Sequence, residues 1–258
     1  IMSAPENAVP GYTHLLITPY SPNIGAVVHD IDLNRLDDSR RAELRRALTE
    51  FQVLFVRGQD LSPEQQIALA RVFGDPDKAK AFFPRHAQNT LVEIVEAKAG
   101  AQRYGTDQWH ADITFSANPP TGTVLHAREV PASGGDTLWV SATKVYDALP
   151  PGLRDWLETL EAVHSFEHSG WPAWFRAQPD GEQRYREARA ACLPVVHPVI
   201  RTHPVSGRKL VYVNPNFTDR IKGLSRQESV ALLRQLFSLF ERPDYPARLR
   251  WEKGTVAI

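Results

Sequence analysis

Val195-Val-His-Pro-Val-Ile-Arg-Thr202 and Lys209-Leu-Val-Tyr-Val213 flank the segment His203-Pro-Val-Ser-Gly-Arg208. The flanking runs are rich in β-branched residues, and the segment between them holds the Pro, Ser and Gly of a tight reversal, which predicts a β-hairpin. Outward from it the same chemistry recurs. Ile24-Gly-Ala-Val-Val-His29, Val53-Leu-Phe-Val56, Leu91–Val95, Thr123-Val-Leu-His-Ala127, Thr137-Leu-Trp-Val140 and Gly254-Thr-Val-Ala-Ile258 read as further strands. Helices fall between them. Asp37-Asp-Ser39 precedes one with Leu44, Leu48 and Phe51 on its apolar face, and Ser62-Pro-Glu-Gln65 opens another, capped by Ser62 and expected to run to about Phe73. Pro150-Pro151 starts a third with Leu153, Trp156, Leu157 and Leu160 on one face. Ser225-Arg-Gln-Glu228 is a capping box for a fourth that turns Val230, Leu233, Phe237 and Phe240 inward. Phe166–Ala191 has no clean period. Strands with inserted helices, and no repeat, low-complexity tract or linker, predict one α+β domain on a β-sandwich or jelly-roll core over residues 1–258.

The charge balance limits the functions open to such a domain. Thirty basic and thirty acidic residues give a net charge of zero, so there is no bulk field for nucleic acid or anionic lipid. No apolar run is long enough for a membrane span, and Ile1–Pro10 lacks a signal-peptide layout, which predicts a cytoplasmic protein with Met2 as its initiator. Cys192 is the one cysteine, so neither an internal disulfide nor a Cys-rich zinc site can form.

His110-Ala-Asp112 is the spacing that carries chemistry. In extended backbone, residues i and i+2 share a face, so an imidazole and a carboxylate there can grip one metal. Nine histidines give about half such a pair by chance, and by spacing alone it reads more readily as a hydrogen-bonded surface pair than as a metal site. Trp109 and Phe115 are expected to wall it. The loop Asp75–Gln88, with Lys78, Lys80, Phe82, Phe83 and Arg85, reads as a pocket lid or a solvated connector.

Trp109-His-Ala-Asp-Ile-Thr-Phe115, Asn118-Pro-Pro-Thr-Gly122 and Ser133-Gly-Gly-Asp-Thr-Leu-Trp139 together resemble the core signature of the taurine dioxygenase family of iron(II)/2-oxoglutarate-dependent oxygenases. The likeness extends upstream to Val53-Leu-Phe-Val-Arg-Gly58 and Phe73-Gly74. Downstream it takes in His197-Pro-Val-Ile-Arg-Thr-His-Pro-Val-Ser-Gly207 and Val213-Asn-Pro-Asn-Phe-Thr218. The resemblance implies a distorted double-stranded β-helix with inserted and flanking helices. It also implies His110 and Asp112 as two of three iron ligands, leaving positions for 2-oxoglutarate and O2. Thr137 matches the position whose hydroxyl binds the far carboxylate of 2-oxoglutarate, and Phe217 matches a residue lining the substrate pocket. Ser169 and Gly170 fall near a second lining segment. His197 and His203 are not ligands in this pattern and are assigned structural or supporting hydrogen bonds.

The resemblance further implies hydroxylation of a small organic anion, with succinate and carbon dioxide as co-products, by a homodimer or homotetramer. Taurine-specific members carry a histidine in the loop that is here Asp75–Phe83, and an asparagine where Thr106 stands. An alkyl sulfonate, a sulfate ester or an aryloxy acid is therefore expected as readily as taurine, with Lys78 or Lys80 attracting it. The family's third ligand and its 2-oxoglutarate arginine lie in and beyond a Trp-Asp-Asn-Arg-x-x-Gln-His segment that follows a strand like Trp251–Ile258. The expectation is that residues 1–258 lack this C-terminal segment and are nearly inactive as written. Two other readings stay open: a non-catalytic binding or scaffold protein, and a zinc hydrolase using His110, Asp112 and another histidine.

Overall fold

The computed structural model describes residues 7–77, 84–96 and 107–258. Its first half runs β1 (Leu16–Pro19), β2 (Ala26–His29), α1 (Asp38–Phe51), β3 (Leu54–Val56), α2 (Pro63–Ala70), β4 (Leu125–His126), β5 (Thr137–Trp139), α3 (Ala142–Asp147) and α4 (Pro151–Leu157). The second continues with β6 (Glu161–His164), a 3-10 turn (Phe166–His168), α5 (Trp171–Arg176), α6 (Gly181–Ala191), β7 (Val195–Pro198), β8 (Ile200–Thr202) and β9 (Lys209–Val211). It closes with β10 (Thr218–Ile221), α7 (Arg226–Phe240), β11 (Ala247–Leu249) and β12 (Val256–Ala257).

The larger sheet has the order β1-β2-β3-β12-β4. The antiparallel β1–β2 pair sets Leu16 opposite His29, β2 runs parallel to β3, and β12 lies antiparallel between β3 and β4. The Gly254–Ile258 run is thus a central strand, paired on both sides and wholly buried. Under this sheet Ile17, Val28, Leu44, Leu54, Val56 and Val256 form one core. Helix α1 closes it because its N-cap Asp37 accepts from the Arg40 amide at 2.8 Å and its buried residues, Leu44 and Ala47, sit within one face.

The second sheet is ordered β10-β6-β7 and shares a core with the β8–β9 hairpin, while the β5–β11 pair packs through Trp139, Ala247 and Leu249 on Phe55 and Ala257 of the larger sheet. The run Val195–Thr202 does not form one strand. It breaks at the fully buried Val199, whose amide donates to Leu160 O and whose carbonyl accepts from the Tyr212 amide. β7 therefore joins β6 while β8 turns onto β9, with Ile200 opposite Val211 as the hairpin reading requires.

Other expectations need correction. Both capping boxes form, but α2 ends at Ala70 and residues 71–74 are turns. Leu91–Val95 is no strand, only a single bridge between Arg85 and Glu93. Trp156 is 45% exposed, and in α7 the buried set is Leu232, Leu233, Leu236 and Phe240, with Val230 outside. Leu233 and Phe240 face inward as expected and Phe237 packs on the core edge, so only Val230 is misplaced, and Leu232 and Leu236 widen the buried stripe. Phe166–Ala191 holds α5 and α6, the first too short at six residues to show a period.

Candidate active site

His110 and Asp112 lie in irregular backbone that enters a turn, not in a strand. The strand geometry expected to align them is therefore absent, and local hydrogen bonds align them instead. His110 Nδ1 lies 2.8 Å from Gln108 O. A carbonyl only accepts, so Nδ1–H is the donor, and in the neutral ring Nε2 is the nitrogen with a free lone pair. Nε2 stands 3.6 Å from Asp112 Oδ1, too far for a hydrogen bond. The other carboxylate oxygen, Oδ2, accepts from Thr123 Oγ1 at 3.0 Å. The two side chains are 26% and 49% exposed, so a bare nitrogen and a bare carboxylate oxygen converge on solvent.

That donor set fits a divalent metal. Each ligand atom has its opposite atom held by a neighbour, the arrangement that orients metal-binding imidazoles and carboxylates. A cation bonding each at about 2.1 Å can span the gap. Among the described residues, no group of three His, Cys, Asp or Glu side chains gathers for a metal. The zinc-hydrolase reading thus finds no third histidine there.

Immediately after Asp112, Ile113 adopts the left-handed region at φ 55, and Thr114 and Phe115 go into the interior. Phe115 does not wall the site as expected. It is core, meeting Phe217 edge to face at 5.0 Å and Phe166 at 5.5 Å. Phe217 is itself 4% exposed in this cluster, with Phe175, Tyr185 and Cys192. Phe217 therefore packs on Phe115, three residues beyond Asp112 in the chain. Ser169 caps the neighbouring 3-10 turn, its hydroxyl donating to Phe166 O at 2.7 Å.

Thr137 opens β5, paired with Leu249 of β11. Its Oγ1 accepts the Trp251 indole N–H at 2.8 Å, leaving its own O–H to donate elsewhere. Arg248 pairs with Asp136 at 3.4 Å and Arg250 donates to Ala132 O, fixing the approach to β5. Lys78, Lys80 and Thr106 lie outside the described residues. Sequence spacing missed Thr123 and Trp251, because their partners lie 11 and 114 residues away.

Comparison with known proteins places the chain in a class of enzymes, the iron(II)- and 2-oxoglutarate-dependent dioxygenases, that use 2-oxoglutarate and O2. Residues 16–258 match the family model described as taurine catabolism dioxygenase TauD, TfdA family, and the chain belongs to that family. It is 32% identical over 252 residues to an alpha-ketoglutarate-dependent sulfate ester dioxygenase of Pseudomonas putida, covering 96% of this chain and 82% of that one. With the alpha-ketoglutarate-dependent 2,4-dichlorophenoxyacetate dioxygenase of Cupriavidus pinatubonensis it shares 31% identity over 261 residues, 95% of this chain and 88% of that one. The crystal structure of a taurine dioxygenase from Burkholderia xenovorans superposes with a TM-score of 0.79 at 32% identity, over 95% of this chain and 79% of that one. No helix among the described residues is long and apolar enough to cross a membrane.

Proposed function

We propose that this enzyme hydroxylates a small organic anion, of the class of alkyl sulfonates such as taurine, alkyl sulfate esters or aryloxy acids. One oxygen atom of O2 enters the product, and the other enters the succinate formed as 2-oxoglutarate loses carbon dioxide. The fold assigned is the distorted double-stranded β-helix of the family, as a single domain over residues 1–258, working in the cytoplasm as a homodimer or homotetramer.

The observation that carries this reading is the orientation of His110. The Gln108 carbonyl engages Nδ1 and so turns Nε2 to the side where Asp112 Oδ1 stands. In this reading His110 and Asp112 hold iron(II), and the Thr137 O–H donates to the far carboxylate of 2-oxoglutarate. Phe217 lines the substrate pocket, and Lys78, Lys80 and Thr106, which lie outside the described residues, are the candidates for binding the substrate anion. Iron, when bound, supplies the redox chemistry that joins decarboxylation of the 2-oxo acid to oxidation of a substrate C–H bond. The chain's own work is to hold, orient and exclude: Thr123 holds the Asp112 carboxylate in place, and the Trp251 indole fixes the Thr137 hydroxyl.

The test is anaerobic addition of iron(II) and 2-oxoglutarate to the full-length protein, followed by oxygen and a panel of sulfonates, sulfate esters and aryloxy acids. A visible chelate band and substrate-dependent succinate are expected, both lost in His110→Ala and Asp112→Ala, whose side chains are too exposed to hold the fold. Succinate from none of these anions overturns the substrate class. A non-catalytic binding protein would show 2-oxoglutarate binding with no succinate at all.

A further inference from the structure

The turn that carries His110 and Asp112 is strained. Ile113 holds φ 55, a conformation costing a β-branched residue about 1–2 kcal/mol, which persists only where the surroundings enforce it. What enforces it lies in the β10-β6-β7 sheet. His197 Nε2 is 2.9 Å from Thr114 O and 3.0 Å from Ser116 O. Both partners are carbonyls, so Nε2 carries the proton and one N–H is shared across the turn. Within that turn the Ser116 amide donates to Ile113 O at 3.0 Å. The Thr114 side chain, 1% exposed, is gripped as well. Its Oγ1 lies 3.0 Å from His164 Nδ1 and accepts from Asn214 Nδ2 at 3.2 Å. Asn214 Oδ1 in turn accepts the Phe217 amide at 2.8 Å, joining the loop that carries Phe217 to the turn.

His164 and His197 come from adjacent strands, β6 and β7, with ring centroids 5.2 Å apart and the Tyr212 ring against both. Both are buried. A buried polar ring is costlier than an apolar side chain unless its hydrogen bonds repay the desolvation. Here the hydrogen bonds it makes converge on the segment that follows Asp112.

We infer that His164 and His197 are positioning residues that clamp the His110–Asp112 turn from behind through Thr114 and Ser116. The importance of that clamp for metal binding rests on the reading of His110 and Asp112 as ligands. The clamp gives the exposed pair, which has little packing of its own, the rigidity of a three-stranded sheet.

The experiment compares His197→Leu, His197→Gln and Leu233→Ala in the full-length protein. Leu233 lies under α7 in the core that also holds Ala162 and Ile221, and its apolar side chain makes no hydrogen bond to the turn, so it controls for general destabilisation. Amide hydrogen exchange in the peptide spanning residues 110–118 should be at least about tenfold faster in His197→Leu than in Leu233→Ala. His197→Gln, which keeps a donor, should recover most of the protection. Cobalt(II) affinity should fall by about tenfold or more in His197→Leu, the scale of loss seen when groups supporting a metal ligand are removed. Exchange no faster than in Leu233→Ala overturns the clamp. If Asp112→Ala leaves cobalt affinity unchanged, the ligand assignment fails while the exchange result still decides the clamp. Should His197→Leu fail to fold, Thr114→Val removes the shared hydroxyl at nearly constant shape and is read on the same peptide with the same two outcomes.

Discussion

Trp251 donates its indole N–H to the Thr137 hydroxyl at 2.8 Å, although 114 residues separate them. The contact joins the second residue beyond β11 to the first residue of β5, and it settles which way the hydroxyl can point. With one lone pair taken by the indole, the Thr137 O–H is directed away from Trp251. If Thr137 donates to the 2-oxoglutarate carboxylate as proposed, Thr137→Val deletes an interaction of about 1.5–3 kcal/mol, and the KM for 2-oxoglutarate should rise about 10- to 100-fold. Trp251→Phe removes only the orienting bond, about 1 kcal/mol, and should raise that KM about fivefold with kcat little changed. Initial-rate succinate measurements over a range of 2-oxoglutarate concentrations check both. An equal fall in kcat with KM unmoved would separate Trp251 from the co-substrate.

The Thr123 hydroxyl holds Asp112 Oδ2 and leaves Oδ1 facing His110. Thr123→Val frees the carboxylate to rotate while leaving both ligand atoms in place. We expect cobalt(II) affinity to fall about tenfold and the thermal midpoint to stay near wild type, since the pair is half exposed. Calorimetric titration beside a melting curve checks this, and Thr123→Ser should restore the affinity.

Locally encoded features were the ones legible in the sequence. The β8–β9 hairpin, both capping boxes and the Asp37 N-cap depend on residues within a few positions of each other, and all form. The His110/Asp112 pairing was legible too, but for the wrong reason, since a Gln108 carbonyl rather than a strand sets it. What stayed hidden is long-range. Nothing near Val199 shows that its amide and carbonyl bind Leu160 and Tyr212 and so split one apolar run between two sheets. Likewise nothing local shows that Phe115 and Phe217 meet edge to face in a shared aromatic core.

Gly254 leads into the central strand β12 at φ 78, where a Cβ would stand 2.7 Å from Gln59 O. The approach is tied by the Gln59 amide donating to Gly254 O at 2.8 Å. Gly254→Ala combines the left-handed penalty of about 1–2 kcal/mol with a backbone clash, and should cost about 2–4 kcal/mol in total. Gly58, at φ 65 with open space around its Cβ position, is the control: Gly58→Ala carries the conformational penalty alone. Urea denaturation of the two variants checks the difference, and equal losses would show that the Gln59 contact yields.

The buried histidines make stability depend on pH in a defined window. His164 is pushed down from 6.5 to about 3, chiefly by burial and further by the charge of neighbouring His197. Burial also lowers His126, His197 and His203. A histidine lowered on folding binds its proton more readily in the unfolded chain. Its contribution to stability is therefore complete above about pH 6.5 and is lost as the pH falls toward the folded value, for His164 by up to about 1.4 kcal/mol per pH unit. Carboxylates work lower on the scale. Glu43, where burial opposes donors from Thr13, His14 and Leu15, still ends below its ordinary value of 4.5, so what it contributes is lost only in more acid solution. Between pH 6.5 and 5 the histidines dominate, and the urea midpoint should fall across that interval. In His164→Phe the slope should be shallower by about one proton, or about 1.4 kcal/mol per pH unit. Urea titrations at pH 7, 6 and 5 measure it, and the predicted sign requires the variant to lose less stability than wild type on acidification, whatever its stability at pH 7. An unchanged slope would mean that His164 takes up its proton in the folded protein within this range.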